Sequence, residues 1–200
     1  GGEPKRDGIG TFCNFMKLEA VFLDRDGVLN PHIPGDYLQS ADNLVVLPGV
    51  ARAVRRLNDA RLPVIVISNQ QGVGKGVMTI EALMAIEQRM AEGLAHEAGA
   101  HLDRCYYSTE LASTDSPRRK PKPGMLLEAA ADFGLTLAQT VFAGDSPTDI
   151  QAGHAAGVGK TILLLSGGTG AYAEGDWTPA PDLIFADLPT MTDWLLENNQ

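Results

Sequence analysis

Cysteine, long apolar runs and positive charge are all scarce in this chain, and each scarcity removes a class of protein. Cys13 and Cys105 are the two cysteines, too few for the disulfide framework of a small secreted domain, so the cytoplasm is the expected compartment. No apolar stretch approaches the roughly 20 residues that a membrane-spanning helix needs. The N-terminus also lacks the basic segment and apolar core of a secretory signal, so no membrane partner is expected. Lys and Arg number 16 against 25 Asp and Glu, a formal net charge of -9. Such a balance repels phosphodiester backbones, so no nucleic acid is expected as a partner. The four histidines, His32, His96, His101 and His154, have no paired metal-ligand spacing and read as solvent-facing or loop residues.

What remains is an ordinary globular composition, 44% hydrophobic and 20% charged over 200 residues, enough chain for one continuous core. Residues 1–15 are glycine-rich and aperiodic and are read as a disordered arm or an appended remnant. The ordered pattern runs over 16–200 as a single domain. Short β-branched or apolar runs at Val21–Leu23, Pro63–Ser68, the CYYS stretch, Thr140–Gly144, Thr161–Leu165 and the DLIF stretch read as strands. Apolar residues at helical spacing follow most of them, over 49–60, from a Thr79 N-cap to Gly99, over 125–133, through Ile150–Ala156 and around Trp194. Residues 31–48 are rich in Pro and Gly and read as an irregular flap. Alternating strands and helices predict an α/β fold, a doubly wound, mainly parallel sheet with helices on both faces.

The stretch FLDRDGVLN, from Phe22 to Asn30, ends the first strand in two aspartates and a glycine turn. Residues i and i+2 of an extended chain share a face, so Asp24 and Asp26 would point into one pocket at the strand's carboxyl end. Open parallel sheets bind their ligands there. Three more polar stations follow at successive strand ends or helix starts: Ser68 with Asn69, Lys120, and Asp145 with Asp149. Three carboxylates can hold a hard cation such as Mg²⁺, a hydroxyl with backbone N–H groups can bind a phosphoryl oxygen, and a lysine can neutralise charge. Each station taken singly also has a structural reading. Asp and Gly make turns. Asp145 and Asp149 can cap the helix after Pro147. Lys120 sits in the basic run Arg118, Arg119, Lys120 and Lys122, which can be a solvated patch.

The set DRDG, SNQ, RKPKPG and GDSPTD resembles the four motifs of haloacid dehalogenase superfamily phosphatases, covering residues 18 to 197. FLDRDGVLN, SNQQGVGKG and RKPKPGM more narrowly resemble the histidinol-phosphate and D-glycero-D-manno-heptose 1,7-bisphosphate phosphatase group. The resemblance implies a Rossmann-like core and Mg²⁺-dependent hydrolysis of a phosphomonoester through an aspartyl phosphate. It implies that Asp24 attacks phosphorus and that Asp26 protonates the leaving oxygen and then activates water, for which a carboxyl pKa raised toward working pH is expected. Asp24, the backbone carbonyl of Asp26, and Asp145 would bind Mg²⁺. Ser68 and Lys120 would hold the phosphoryl group, Asp149 would stand behind them, and Arg119, with Asn69 and Lys75, would meet the rest of a small phosphorylated metabolite. A heptose bisphosphate is the expected substrate and histidinol phosphate the alternative; a catalytically silent phosphate-binding module is a third reading.

One departure stands out. Heptose bisphosphate phosphatases of this group often carry a zinc loop of cysteines and a histidine. The matching positions here are Ser108, Glu110, Ser116 and Arg118, so no zinc is expected and hydrogen bonds or ion pairs should hold the loop. The chain between the motifs is already used by core elements, so no separate cap domain is expected. HAAGVGKT, from His154 to Thr161, nearly matches a nucleotide P-loop, but its first glycine is misplaced and a strand follows instead of a helix.

Overall fold

The computed structural model describes residues 17–199, so the expectation for residues 1–15 lies outside the described residues. Six strands form one sheet in the order β3-β2-β1-β4-β5-β6, and every pairing is parallel. They are β1 (Ala20–Leu23), β2 (Val64–Asn69), β3 (Arg104–Ser108), β4 (Thr140–Gly144), β5 (Lys160–Leu164) and β6 (Leu183–Phe185). Between them run α1 (Val50–Asp59), α2 (Gln71–Gly74), α3 (Ile80–Ala98), α4 (Gly124–Phe133) and α5 (Pro147–Ala156), with α6 (Leu188–Asn198) last. The doubly wound architecture is as expected. The single turn of α2 is an addition, within a stretch whose glycines suggested only a loop.

The strands are continuous apolar runs because a central parallel strand is buried on both faces. All four residues of β1 are fully buried. Val21 and Leu23 join Val64, Val66, Val141 and Ala143 in a core completed by α1, α3 and α6. Phe22 points the other way, to Ile65, Ile67 and Phe142 beneath α4 and α5. Period-2 alternation therefore divides one strand between two cores. Helix limits follow local chemistry: the Thr79 hydroxyl accepts from Ala82 N at the start of α3, and Gly99, with φ +63°, ends it in the left-handed conformation.

This topology positions the site. β1 pairs with β2 on one side and with β4 on the other, so the winding reverses at β1. The carboxyl ends of all three strands open on the same edge of the sheet, the crevice where such folds bind ligands. The two intervals that could hold a cap contain α1 in one and α2, α3 and β3 in the other. No separate cap domain is present among the described residues. None of the described helices is long and apolar enough to cross a membrane.

Candidate active site

A cavity of about 410 Å³ opens at the carboxyl end of the sheet, lined by Asp24, Asp26, Ser68, Asn69, Lys120 and Asp145 among others. Residues from four separate motifs thus share one wall.

The β1 turn places the first two. Three backbone N–H groups, of Val28, Leu29 and Asn30, converge on the carbonyl of Arg25, and Gly27 N donates to the carbonyl of Asn30 at 2.7 Å. Gly27 has φ +83°, and a Cβ there would come within 2.1 Å of Asp145 Oδ2. Only glycine allows both the backbone conformation and the approach of the third aspartate. Asp145 follows β4, and its Oδ2 accepts from Gly168 N at 2.6 Å.

Lys120 is 3% exposed, not part of a solvated patch. Its ammonium lies 2.6 Å from Asp149 Oδ1 and 3.1 Å from Asp24 Oδ1 and donates to the carbonyl of Ile67 at 2.8 Å. All three of its hydrogens are engaged. Asp149 serves two ends at once, since its Oδ2 accepts from Asp145 N, Ser146 N and the Ser146 hydroxyl at the start of α5. Asp149 thus caps α5 and at the same time faces the cavity lysine.

Ligand atoms of Asp24, Asp145 and Asp149 lie within 4.8 Å of one another, and all three residues are buried. One ammonium faces these three carboxylates. Burial, against the attraction of Lys120, pushes the Asp24 carboxyl up to about 8, and Asp149, Asp145 and Asp26 add repulsion. Burial and then Asp149 also raise Asp145. Lys120 shifts upward despite its burial because Asp149 and Asp24 hold its proton. An excess of buried negative charge on hard oxygen donors is the fit a divalent cation such as Mg²⁺ requires.

Asp26 departs from expectation. Burial raises its pKa, but the Arg25 guanidinium and hydrogen bonds from Asn30, Gln70 and Arg25 outweigh it, and the net shift is downward. Its Oδ1 accepts from Asn30 Nδ2 at 2.8 Å and from Arg25 Nη2 at 3.0 Å, and its Oδ2 from Gln70 Nε2 at 2.8 Å. The resting carboxyl is therefore ionised, not poised near working pH. Two of the donors, Arg25 and Asn30, lie in the same motif, but residue spacing does not reveal that their side chains fold back onto Asp26, and the third, Gln70, comes from another strand end.

Other assignments are sharpened by position. Both ends of the Asn69 carboxamide bond to the backbone of Lys120, at 3.0 and 3.1 Å, so this side chain fixes the lysine loop. Lys75 and Arg119 are not in the cavity wall. The Lys75 ammonium lies 5.3 Å from the ring centre of Tyr37, a wall residue, and Arg119 Nη1 donates to the carbonyl of Glu110 at 3.4 Å. The flap contributes His32, Ile33, Asp36, Tyr37 and Leu38, which the sequence pattern left as irregular chain. His32 is an exposed loop residue as expected, yet its Nδ1 stands 3.8 Å from Asp145 Oδ2. Arg25 and Gln70, 2% and 1% exposed, are buried hydrogen-bond partners of Asp26 that sequence reasoning passed over, although each sits inside a recognised motif.

The loop after β3 is held by polar contacts, as expected. Lys122 pairs with Asp115, Arg118 with Glu128 at 2.9 Å, and the buried Ser116 hydroxyl accepts from Arg118 N at 3.2 Å.

Comparison with known proteins agrees with this geometry. The haloacid dehalogenase-like hydrolase family matches residues 20–157. The chain is 38% identical over 192 residues to a D-glycero-D-manno-heptose-1,7-bisphosphate 7-phosphatase of Thermosynechococcus vestitus, covering 90% of this chain and 96% of that one. It is 33% identical over 182 residues to a D-glycero-beta-D-manno-heptose-1,7-bisphosphate 7-phosphatase of Pseudomonas aeruginosa, covering 91% and 100%. Among solved structures, a D,D-heptose 1,7-bisphosphate phosphatase from B. bronchiseptica complexed with magnesium and phosphate superimposes with a TM-score of 0.84 at 30% identity, covering 90% of this chain and 99% of that one.

Proposed function

The chain belongs to the haloacid dehalogenase-like hydrolases, and from that premise we propose that it is a phosphomonoesterase acting on a phosphorylated sugar, with a heptose 1,7-bisphosphate as preferred substrate. The observation that carries the reading is the convergence of Asp24, Ser68, Lys120 and Asp145 on one cavity. The names of its relatives support the sugar.

Asp24 is the nucleophile. One of its oxygens attacks phosphorus, the bond from phosphorus to the sugar oxygen breaks, and Asp26 supplies the proton that the departing oxygen takes up. Asp26 is ionised at rest. The incoming phosphoryl dianion sets like charge beside it and raises its proton affinity, so that Asp26 takes a proton from solvent as substrate binds and then hands it to the leaving group. In the second half Asp26 takes a proton from water, the hydroxyl attacks phosphorus, and the bond to Asp24 breaks to release inorganic phosphate. Ser68 donates to a phosphoryl oxygen. Lys120 offsets phosphoryl charge, and esterification of Asp24 frees one of its hydrogens for the same purpose. Asn69 keeps the lysine loop in place, Asp149 orients the ammonium, and Lys75 and Arg119 meet the distal part of the substrate from the rim.

Asp24, the backbone carbonyl of Asp26, and Asp145 are the groups that would hold Mg²⁺. When bound, the cation neutralises the carboxylates and withdraws charge from the phosphoryl group. No zinc is expected, and the Lys122–Asp115 and Arg118–Glu128 ion pairs in the loop support this. Metal analysis of protein purified without added zinc should find none in stoichiometric amount, and a full equivalent would overturn this. Charged sugar phosphates do not cross bilayers, which supports the cytoplasm as the site of action.

Phosphate release from a panel of sugar phosphates, including a heptose bisphosphate and histidinol phosphate, tests the assignment. The heptose bisphosphate should rank first in kcat/KM. A protein silent with Mg²⁺ on the whole panel would refute the phosphatase reading.

A further inference from the structure

Gln70 is not one of the four motif stations, yet its side chain joins two of them. Its carboxamide is buried, and each of its hydrogen-bonding groups has a partner. Oε1 accepts from Arg25 Nη2 at 3.0 Å, while Nε2 donates to Asp26 Oδ2 at 2.8 Å and to Ser68 Oγ at 3.0 Å. The orientation of this amide is dictated by its neighbours. A guanidinium has no acceptor, and an ionised carboxylate has no donor. Flipping the amide would place NH₂ against Arg25 and oxygen against Asp26, two repulsive contacts in place of two favourable ones.

We propose that Gln70 is a positioning residue: it aims the carboxylate of Asp26 at the leaving oxygen and sets the Ser68 hydroxyl as a donor to the phosphoryl group. The second effect follows from counting. A serine hydroxyl has one hydrogen. Because Nε2 donates to Ser68 Oγ, the hydroxyl hydrogen does not point at Gln70 and is available to the cavity, which Ser68 lines. The first effect follows from the clamp on Asp26. Arg25 is adjacent in sequence and Asn30 lies in the same turn, so both move with the β1 loop. Gln70 comes from the end of β2 and is the contact that registers Asp26 against the strand bearing Ser68. Arg25 acts as the buried support, holding Oε1 so that the NH₂ group faces the site.

The inference rests on the phosphomonoesterase reading, and its test separates the two. General-acid help matters most for an alkoxide leaving group, whereas 4-nitrophenolate departs without a proton. Gln70→Leu should therefore lower single-turnover cleavage of a sugar phosphate by about 100-fold and lower the burst of 4-nitrophenol from 4-nitrophenyl phosphate at least about 10-fold less, with KM for both changing little. Gln70→Glu keeps the size of the side chain and serves if the leucine variant does not fold. Its carboxylate would repel Asp26 and accept the Ser68 hydrogen, so it should lose more activity than Gln70→Leu on both esters and keep the same skew toward the aryl ester. Equal fractional losses on the two esters, or no loss, would overturn the role of Gln70. A wild-type protein inactive on both esters would instead overturn the phosphatase reading.

Discussion

Replacing Asp24 by asparagine is expected to cut phosphate release by about 10⁴-fold or more, because the amide cannot form the phosphoryl ester that the mechanism passes through. Rapid-quench measurement with radiolabelled substrate should show a labelled protein intermediate in the wild type and none in Asp24→Asn. Full activity in that variant would refute covalent catalysis. The same substitution should have an unusual effect on stability. The Asp24 carboxyl is raised from 3.8 to about 8 in the folded protein, first by burial. Between those limits the folded state binds a proton that the unfolded state has released. The contribution of this group is therefore fully present below about pH 4 and is lost as pH rises through about 8. Asparagine has no proton to lose. In metal-free buffer at pH 8, Asp24→Asn should melt above the wild type, by roughly 3 °C if the relief is about 1 kcal/mol in a chain of this size. A lower melting temperature at pH 8, or a difference that does not narrow toward pH 4, would contradict this account of the site.

Lys120→Met should be damaging in both respects. Its ammonium is the sole cation in direct contact with two buried carboxylates, Asp24 and Asp149, among the described residues. Removing one partner from a buried ion pair leaves uncompensated charge, at a cost of about 3–5 kcal/mol. Methionine preserves most of the side-chain volume, so the loss would come mainly from charge. Denaturant titration should show the loss as a shift in midpoint, and added Mg²⁺ should recover part of it by neutralising the carboxylates. Activity should fall at least about 10³-fold even where the variant remains folded. Lys120→Arg should not rescue, because the buried ammonium meets Asp24, Asp149 and the Ile67 carbonyl as a compact point charge, a geometry that a larger planar guanidinium does not reproduce. Near-normal stability in Lys120→Met without metal would show that the carboxylates tolerate one another better than their burial implies.

How much of this was legible beforehand differs from residue to residue. Asp24, Ser68 and Asp145 were readable because strand ends in a parallel sheet must converge on one edge, and the apolar runs that precede them mark the strands; Lys120, in the loop before α4, was readable only from its motif. The short α2 was hidden by glycines at Gly72 and Gly74, which lower helical propensity. Gly74 is nonetheless required, since a Cβ there would come within 2.3 Å of the Thr109 carbonyl. The flap gave no periodic signal, so the wall residues His32 and Tyr37 emerged only with the fold.

By itself the amino-acid sequence determined the layer architecture, the order of the polar motifs and the residue types that line the cavity. Those depend on local periodicity and on residue chemistry carried within a few positions. Tertiary structure alone decided the electrostatic state of each group. Asp26 and Asp24 are the same residue two positions apart, yet Arg25, Asn30 and Gln70 hold one carboxyl down while burial and neighbouring carboxylates push the other up. A pKa is set by which charges and dipoles surround a group in three dimensions. Arg25 and Asn30 lie in the same turn as Asp26, but Gln70, Lys120, Asp145 and Asp149 come from distant parts of the chain, a relation that no local spacing encodes.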